Sequence, residues 1–198
     1  IGISPRHKWA TLHLGNRQMD LGKYTFSNHS FDGIGIEVKP GSWQIKSFYG
    51  RLRRARVEDF STLQNIEQFY QRKGTGIKLG YLDKKDEIAL TIFQSWDETE
   101  QIQNNRNTSS LPSENLILSF NSKKKLYKNS YLQVEYAYSL FNSDLYQSSA
   151  DHSQKTLFYR TFDFDNPGLN RSKAFETSLF FEIKNQKRAY IVKSDKKL

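Results

Sequence analysis

FDGIGIEVKPGSWQIKSFYGRLRRA spans Phe31 to Ala55. Its first part alternates strictly. Ile34, Ile36 and Val38 share one face, while Gly33, Gly35 and Glu37 share the other. A repeat of two is the signature of a β-strand, because successive side chains leave the backbone on opposite sides. Lys39-Pro40-Gly41-Ser42 then breaks the pattern as a tight polar turn. A second strand pattern covers 43–52 and runs into the basic stretch Arg51-Leu52-Arg53-Arg54-Ala55-Arg56. The stretch therefore reads as an antiparallel hairpin with one apolar face.

The same rhythm continues in both directions. Nine strands are expected near 8–15, 32–38, 43–52, 75–82, 87–96, 115–121, 130–139, 175–183 and 188–194. Tight polar turns join strand pairs at Lys39 to Ser42, Leu82 to Glu87, Asn121 to Ser130 and Lys184 to Lys187. Between the pairs lie polar stretches far longer than the usual connection of about 4 to 6 residues. A short amphipathic helix is expected near Phe60 to Tyr70. Lys155 to Phe164 (KTLFYRTFDF) is expected to add a strand or to fold over the sheet's end. No linker divides the chain, so residues 1–198 are taken as one unit.

Turns short at one end and loops long at the other describe an antiparallel, up-and-down transmembrane β-barrel of the outer-membrane type. The composition is compatible. Only 36% of residues are hydrophobic and mean hydropathy is -0.75, yet 14% are aromatic, which argues against plain disorder. No apolar run reaches the ~18 residues of a transmembrane helix, and a barrel needs none. There are no cysteines, hence no disulfide framework and no thiolate metal site. Alternation alone also fits a soluble, secreted β-sandwich that binds glycans, with its apolar face on a core. Glycines on the polar face favour the curved alternative, since they relieve crowding on a concave side.

Aromatic residues sharpen the membrane reading. Trp43, Tyr81, Phe120, Tyr127 and Tyr131 fall at the short-turn ends of their strands. Tyr49, Trp96, Tyr138 and Phe141 fall at the long-loop ends. Two interfacial girdles are expected to look like this, with Trp43, Tyr49, Tyr81, Trp96, Tyr131 and Tyr138 as the main members. Net charge is +9, which suits an acidic partner. At the outer rim, Arg51, Arg53, Arg54 and Arg56 are candidates for contact with lipopolysaccharide phosphates or another anion. No recognition helix or aromatic RNA platform accompanies them, so nucleic acid is not an expected partner. Lys123-Lys124-Lys125 is read as a solvated turn. Glu37, Lys46, Lys78, Glu135 and Glu182 are expected to face the interior and to pair there.

Trp9 to Gly15 (WATLHLG) and Phe31 to Ala55 resemble a group of large, mostly uncharacterised outer-membrane β-barrel proteins of the Bacteroidota. The shared pattern is K-W-x-T-L-H-L-G, then F-x-G-x-G-[IV]-E-[VL]-x-P-G, then Y-G-R-x-x-R-A. Asn115 to Leu118 and Glu135 to Ala137 are similar too. The resemblance covers about half the chain and implies a barrel, with no agreed activity and no catalytic residue to carry over. Two features depart from a complete bacterial barrel: an odd strand count, and an end at Lys197-Leu198 without a terminal aromatic. Together with a start at Ile1-Gly2-Ile3, they lead us to expect a fragment of a longer chain.

Local motifs for chemistry are sparse. His7, His13, His29 and His152 are dispersed, so no metal or other cofactor is expected. A barrel-embedded lipid hydrolase would place Ser and His two apart on one strand face. Here His29-Ser30 and His152-Ser153 are adjacent, and there is no G-x-S-x-G. Asp163-Phe164-Asp165-Asn166-Pro167-Gly168 reads as a turn rather than a Ca²⁺ loop. The chain is thus expected to be a non-enzymatic wall segment of a Gram-negative outer membrane, with a structural, transport or envelope-assembly role. Its expected partners are membrane lipid, lipopolysaccharide and other envelope proteins.

Overall fold

A computed structural model describes residues 2–55, 69–83, 86–98, 111–127, 130–142, 170–183 and 186–197, with 127, 130 and the last two segments as backbone. Two short strands, β1 (Gly2–Ile3) and β2 (Arg6–His7), precede nine long ones. These are β3 (Ala10–Met19), β4 (His29–Val38), β5 (Trp43–Arg53), β6 (Arg72–Asp83), β7 (Asp86–Asp97), β8 (Glu114–Tyr127), β9 (Ser130–Asn142), β10 (Asn170–Ile183) and β11 (Gln186–Lys197). There is no helix among the described residues. Every long strand pairs antiparallel with its sequence neighbour, so β3 to β11 form one up-and-down sheet. β1 and β2 lie in succession along the outer edge of β3. Among the described residues no ladder joins β11 to that edge, so the sheet is open.

The expected rhythm is present. Strand pairs are joined at one end across 8–9, 39–42, 84–85, 128–129 and 184–185, and at the other across 20–28, 54–71, 98–113 and 143–169. The ladders run further than period-two alternation does, because backbone pairing does not require apolar side chains. Lys123-Lys124-Lys125, expected in a turn, are paired residues of β8, opposite Gln133, Leu132 and Tyr131. Phe120 therefore sits in mid-strand rather than at the short-turn end. The helix expected near 60–70 falls mostly outside the described residues; its last members, Phe69 and Tyr70, are not helical. The segment 155–164 also lies outside them.

Burial is inverted relative to a sandwich. The apolar faces are exposed: Ile34, Ile36, Ile77, Leu79, Ile88, Leu90 and Ile92 are each at least 41% accessible. The opposite face, made of Phe31, Gly35, Phe48, Gly76, Ala89, Thr91, Phe93, Ser119, Glu135 and Ala137, is buried. A sheet in a two-layer sandwich would bury the first of these faces.

What fills the buried side is the β3–β4 connection. Residues 20–28 fold inward, closed on themselves by the Gly22↔Phe26 bridge and by Leu21 N–H donating to Phe26 O at 2.9 Å. Leu21 and Phe26 are almost wholly buried, in one cluster with Met19, Phe31, Phe48, Phe93, Ile117 and Ala137. The Phe26 ring stacks on Phe48 at 4.5 Å and Phe93 at 5.3 Å. Register explains the room. One inner row reads Gly35–Phe48–Gly76–Phe93 across β4 to β7. A side chain at Gly76 would collide with Leu21 and Phe48, and one at Gly35 with Met19 and Phe31. Large and small residues thus alternate across neighbouring strands, as a tapering concave face needs. A second inner row reads Gly2–Gly15–Gly33–Gly50–Gly74 across β1 to β6.

Candidate functional site

The outer face is a band with two aromatic borders. Three rows cross the sheet: Ile34–Tyr49–Thr75–Gln94, Ile36–Ser47–Ile77–Ile92–Leu118–Tyr138 and Val38–Ile45–Leu79–Leu90–Phe120–Tyr136. At the short-turn side, Trp43 and Tyr81 are cross-strand partners with ring centroids 5.2 Å apart, edge to face. At the long-loop side, Tyr49 and Trp96 lie 6.3 Å apart. Ile88, opposite Tyr81, and Trp96 mark the two borders on one strand. They are about 27 Å apart at about 3.4 Å per residue, or about 21 Å in height at a tilt of about 40°.

Four of the six expected girdle residues occupy these borders. Tyr138 lies on the same face but inside the band, in the row of Ile92 and Leu118. Tyr131 has the parity of buried Glu135 and Ala137, and its ring carries the Lys123 ammonium 4.4 Å from the centroid. It belongs to the inner face. Over β7 to β9 the band is indented by a cavity of about 600 Å³ lined by Leu90, Ile92, Leu118, Phe120, Tyr136 and Tyr138.

The rim above the band is an ion-pair network. Arg51 Nη2 reaches Asp32 Oδ2 at 2.5 Å. A β-bulge between Arg51 and Arg53 turns Arg53 out of alternation, opposite Arg72. Both guanidiniums then meet Asp97, which is 2% exposed. Arg72 is bidentate, with Nε to Oδ1 at 2.8 Å and Nη2 to Oδ2 at 2.7 Å, and Arg53 Nη2 reaches Oδ1 at 3.4 Å. Ser113 adds its N–H at 3.0 Å and its hydroxyl at 3.1 Å to Oδ2. Burial and the neighbouring Arg72 charge push Arg53 below its ordinary pKa, against the pull of Asp97. Lys73 pairs with Glu98, and Arg53 lies 5.0 Å over the Phe69 ring. Of the rim arginines, Arg51 and Arg53 are therefore engaged by the protein's own carboxylates. Arg54 is exposed, and Arg56 lies outside the described residues.

Of the charged residues expected inside, Glu37, Lys46, Lys78 and Glu135 take the inner face, and Glu182 is described only as backbone. Glu37 pairs with Lys46 at 3.7 Å, and Lys78 with Glu87 at 3.6 Å. Lys46 also donates to Asp20 O at 3.0 Å, and Glu135 accepts from Tyr24 N–H at 3.3 Å, so both tie the wall to the plug. Thr25 and Ser119 hydroxyls meet at 3.3 Å. At the β1–β2 edge, Ser4 Oγ lies 2.9 Å from His13 Nδ1, and His13 Nε2 lies 3.5 Å from Glu37 Oε1. Sequence spacing did not single out Ser4 or His13, because strand register rather than a local motif brings them together. The plug was equally hidden: Leu21, Tyr24 and Phe26 sit in a stretch that reads as a polar loop. The signal present was three large apolar residues in six. Comparison with protein-family models, curated proteins and solved structures finds no match.

Proposed function

We propose that this chain is a wall segment of an outer-membrane β-barrel of a Gram-negative cell, with its short turns in the periplasm and its long loops outside. One observation carries this reading: the apolar face is the exposed one, bordered by two aromatic rows, while glycine, polar and charged residues face a filled interior. Exposed apolar surface on this scale marks a protein or lipid contact. Its estimated height of about 21 Å is near the ~25 Å apolar belt of outer-membrane barrels. The inward 20–28 segment favours a scaffold or envelope-assembly role over an open passage, because it occupies the space a channel would need. The resemblance to Bacteroidota barrel proteins points the same way. Membrane lipid is the main partner on this reading. At the rim, Arg54 is the described arginine best placed for lipopolysaccharide phosphate, since Arg51 and Arg53 are already paired.

The test is extraction and migration. The chain should leave membranes only with detergent and should run faster unheated than boiled on a detergent gel. A stable monomer in plain buffer would overturn the proposal.

A further inference from the structure

We infer that Ser4, His13 and Glu37 form an activated-serine site that accepts an acyl group from a carboxylic ester. Register builds it. Gly2↔Gly15, Ile3↔Leu14, Arg6↔Thr11 and His7↔Ala10 flank the site on one continuous antiparallel alignment. That alignment puts Ser4 directly opposite His13. Pro5 fixes the link between β1 and β2, and its carbonyl accepts from Leu12 N–H at 3.0 Å. His13 stands opposite Gly35, a residue without a side chain. The imidazole therefore has a clear diagonal path to Glu37 on the same face of β4. Glu37 in turn stands opposite Lys46, whose ammonium lies 3.7 Å from its second oxygen.

The order of contacts sets the chemistry. On this assignment the imidazole proton sits on Nε2, the nitrogen 3.5 Å from the Glu37 carboxylate, which leaves Nδ1 as the acceptor toward the Ser4 hydroxyl 2.9 Å away. This is nucleophile, base and orienting acid in sequence. Ser4 is exposed, whereas the His13 and Glu37 side chains retain only 13% and 24% accessibility, so the nucleophile is reachable and its base is shielded. The buried Nε2 makes no hydrogen bond; the Glu37 carboxylate, with Oε1 3.5 Å away, is its charged neighbour.

In the reaction, Ser4 Oγ attacks the ester carbonyl carbon while Nδ1 takes the hydroxyl proton. The bond to the leaving alkoxide breaks, that proton passes to the alcohol, and the acyl group stays on Ser4. Water then attacks the acyl-serine with His13 again taking and returning a proton, which releases the carboxylic acid and restores Ser4. The choice of an ester with an apolar acyl chain rests on the membrane reading above. The His13–Gly35 pair is level with the apolar band but on the inward face; Ile3, the serine's chain neighbour at the open edge, takes the outer face and is 58% exposed.

The experiment uses the full chain folded in detergent micelles, with folding judged by the β-sheet signal in far-ultraviolet circular dichroism. A fluorophosphonate probe should label Ser4, located by peptide mass spectrometry, and p-nitrophenyl palmitate should be hydrolysed faster than the butyrate. Ser4→Ala should abolish labelling. His13→Ala should slow it about 100-fold, the lower end for a general base, and added imidazole should restore part of it. Glu37, a positioning residue, should be partly replaced by aspartate but not by glutamine. No label on the folded chain, label on another serine, or an unchanged rate in His13→Ala would overturn the site. Preference for the butyrate would overturn the apolar-chain assignment. None of these results bears on heat-modifiable migration, so the membrane reading stands or falls separately.

Discussion

Two residues concentrate the physical argument. Asp97 is a carboxylate almost without water, held by Arg72, Arg53 and Ser113. Asp97→Asn would leave two guanidiniums facing each other with no counter-charge. We expect a loss of about 2–3 kcal/mol, below the ~3–5 of a fully buried pair because the arginines keep part of their hydration. Denaturant titration of tryptophan fluorescence in detergent measures it. Gly76 is decided by space rather than charge. A branched side chain there would overlap Leu21 and Phe48, so Gly76→Val should cost about 1–3 kcal/mol through overpacking. An unchanged denaturation midpoint in that variant would mean that the plug does not seat as described. Sequence reading placed Gly33 and Gly35 together on one face, opposite Ile34 and Ile36, from alternation alone. It gave no hint of Asp97 as a hub, because the bulge that re-aims Arg53 leaves no mark in the local pattern.

At the scale of elements, the strands were legible and the connections were not. All nine long strands overlap stretches read from period two and turn chemistry, and in β4 to β9 the two faces meet different surroundings. Their ends were underestimated wherever polar residues keep pairing, as Lys123 to Lys125 do in β8. The 20–28 plug escaped because its fit depends on cavities made by glycines on other strands. It also supplies a sharp test. Phe26→Ala removes a ring stacked on Phe48 and Phe93, and should destabilise the fold by about 3–5 kcal/mol, as for a buried Phe. On the membrane reading, replacing 21–26 by a glycine-serine linker should produce ion conductance in planar bilayers where the native chain is silent. Silence from the shortened but folded chain would show that the lumen is blocked elsewhere.

For the whole molecule, the decisive property is which face meets water. Trp9, Trp43 and Trp96 offer native reporters at the borders. In single-tryptophan chains reconstituted in bilayers, Trp43 and Trp96 should be quenched most by lipids brominated near the headgroup. A tryptophan introduced at Leu90, which is 58% exposed in mid-band, should be quenched most by deep bromines. Equal insensitivity at all positions would mean that the band faces another protein rather than lipid. Alternation specified two faces but was silent on which one is covered; the 20–28 segment covers the glycine and polar face and leaves the apolar face exposed.

The inner row of glycines from Gly2 to Gly74 bears on how this chain tolerates change. Added side chains at Gly33 and Gly50 would run into the backbone of the neighbouring strand, and one at Gly74 into Leu52. The outer rows are less constrained: Ile, Leu, Val, Phe and Tyr interchange there, and Ser47, Thr75 and Gln94 stand among them. A saturation mutational scan should therefore show, among its intolerant positions, a line of five glycines perpendicular to the strands, beside the Gly35–Phe48–Gly76–Phe93 row. Such a line would be a genetic image of the sheet's register, obtained without any structure.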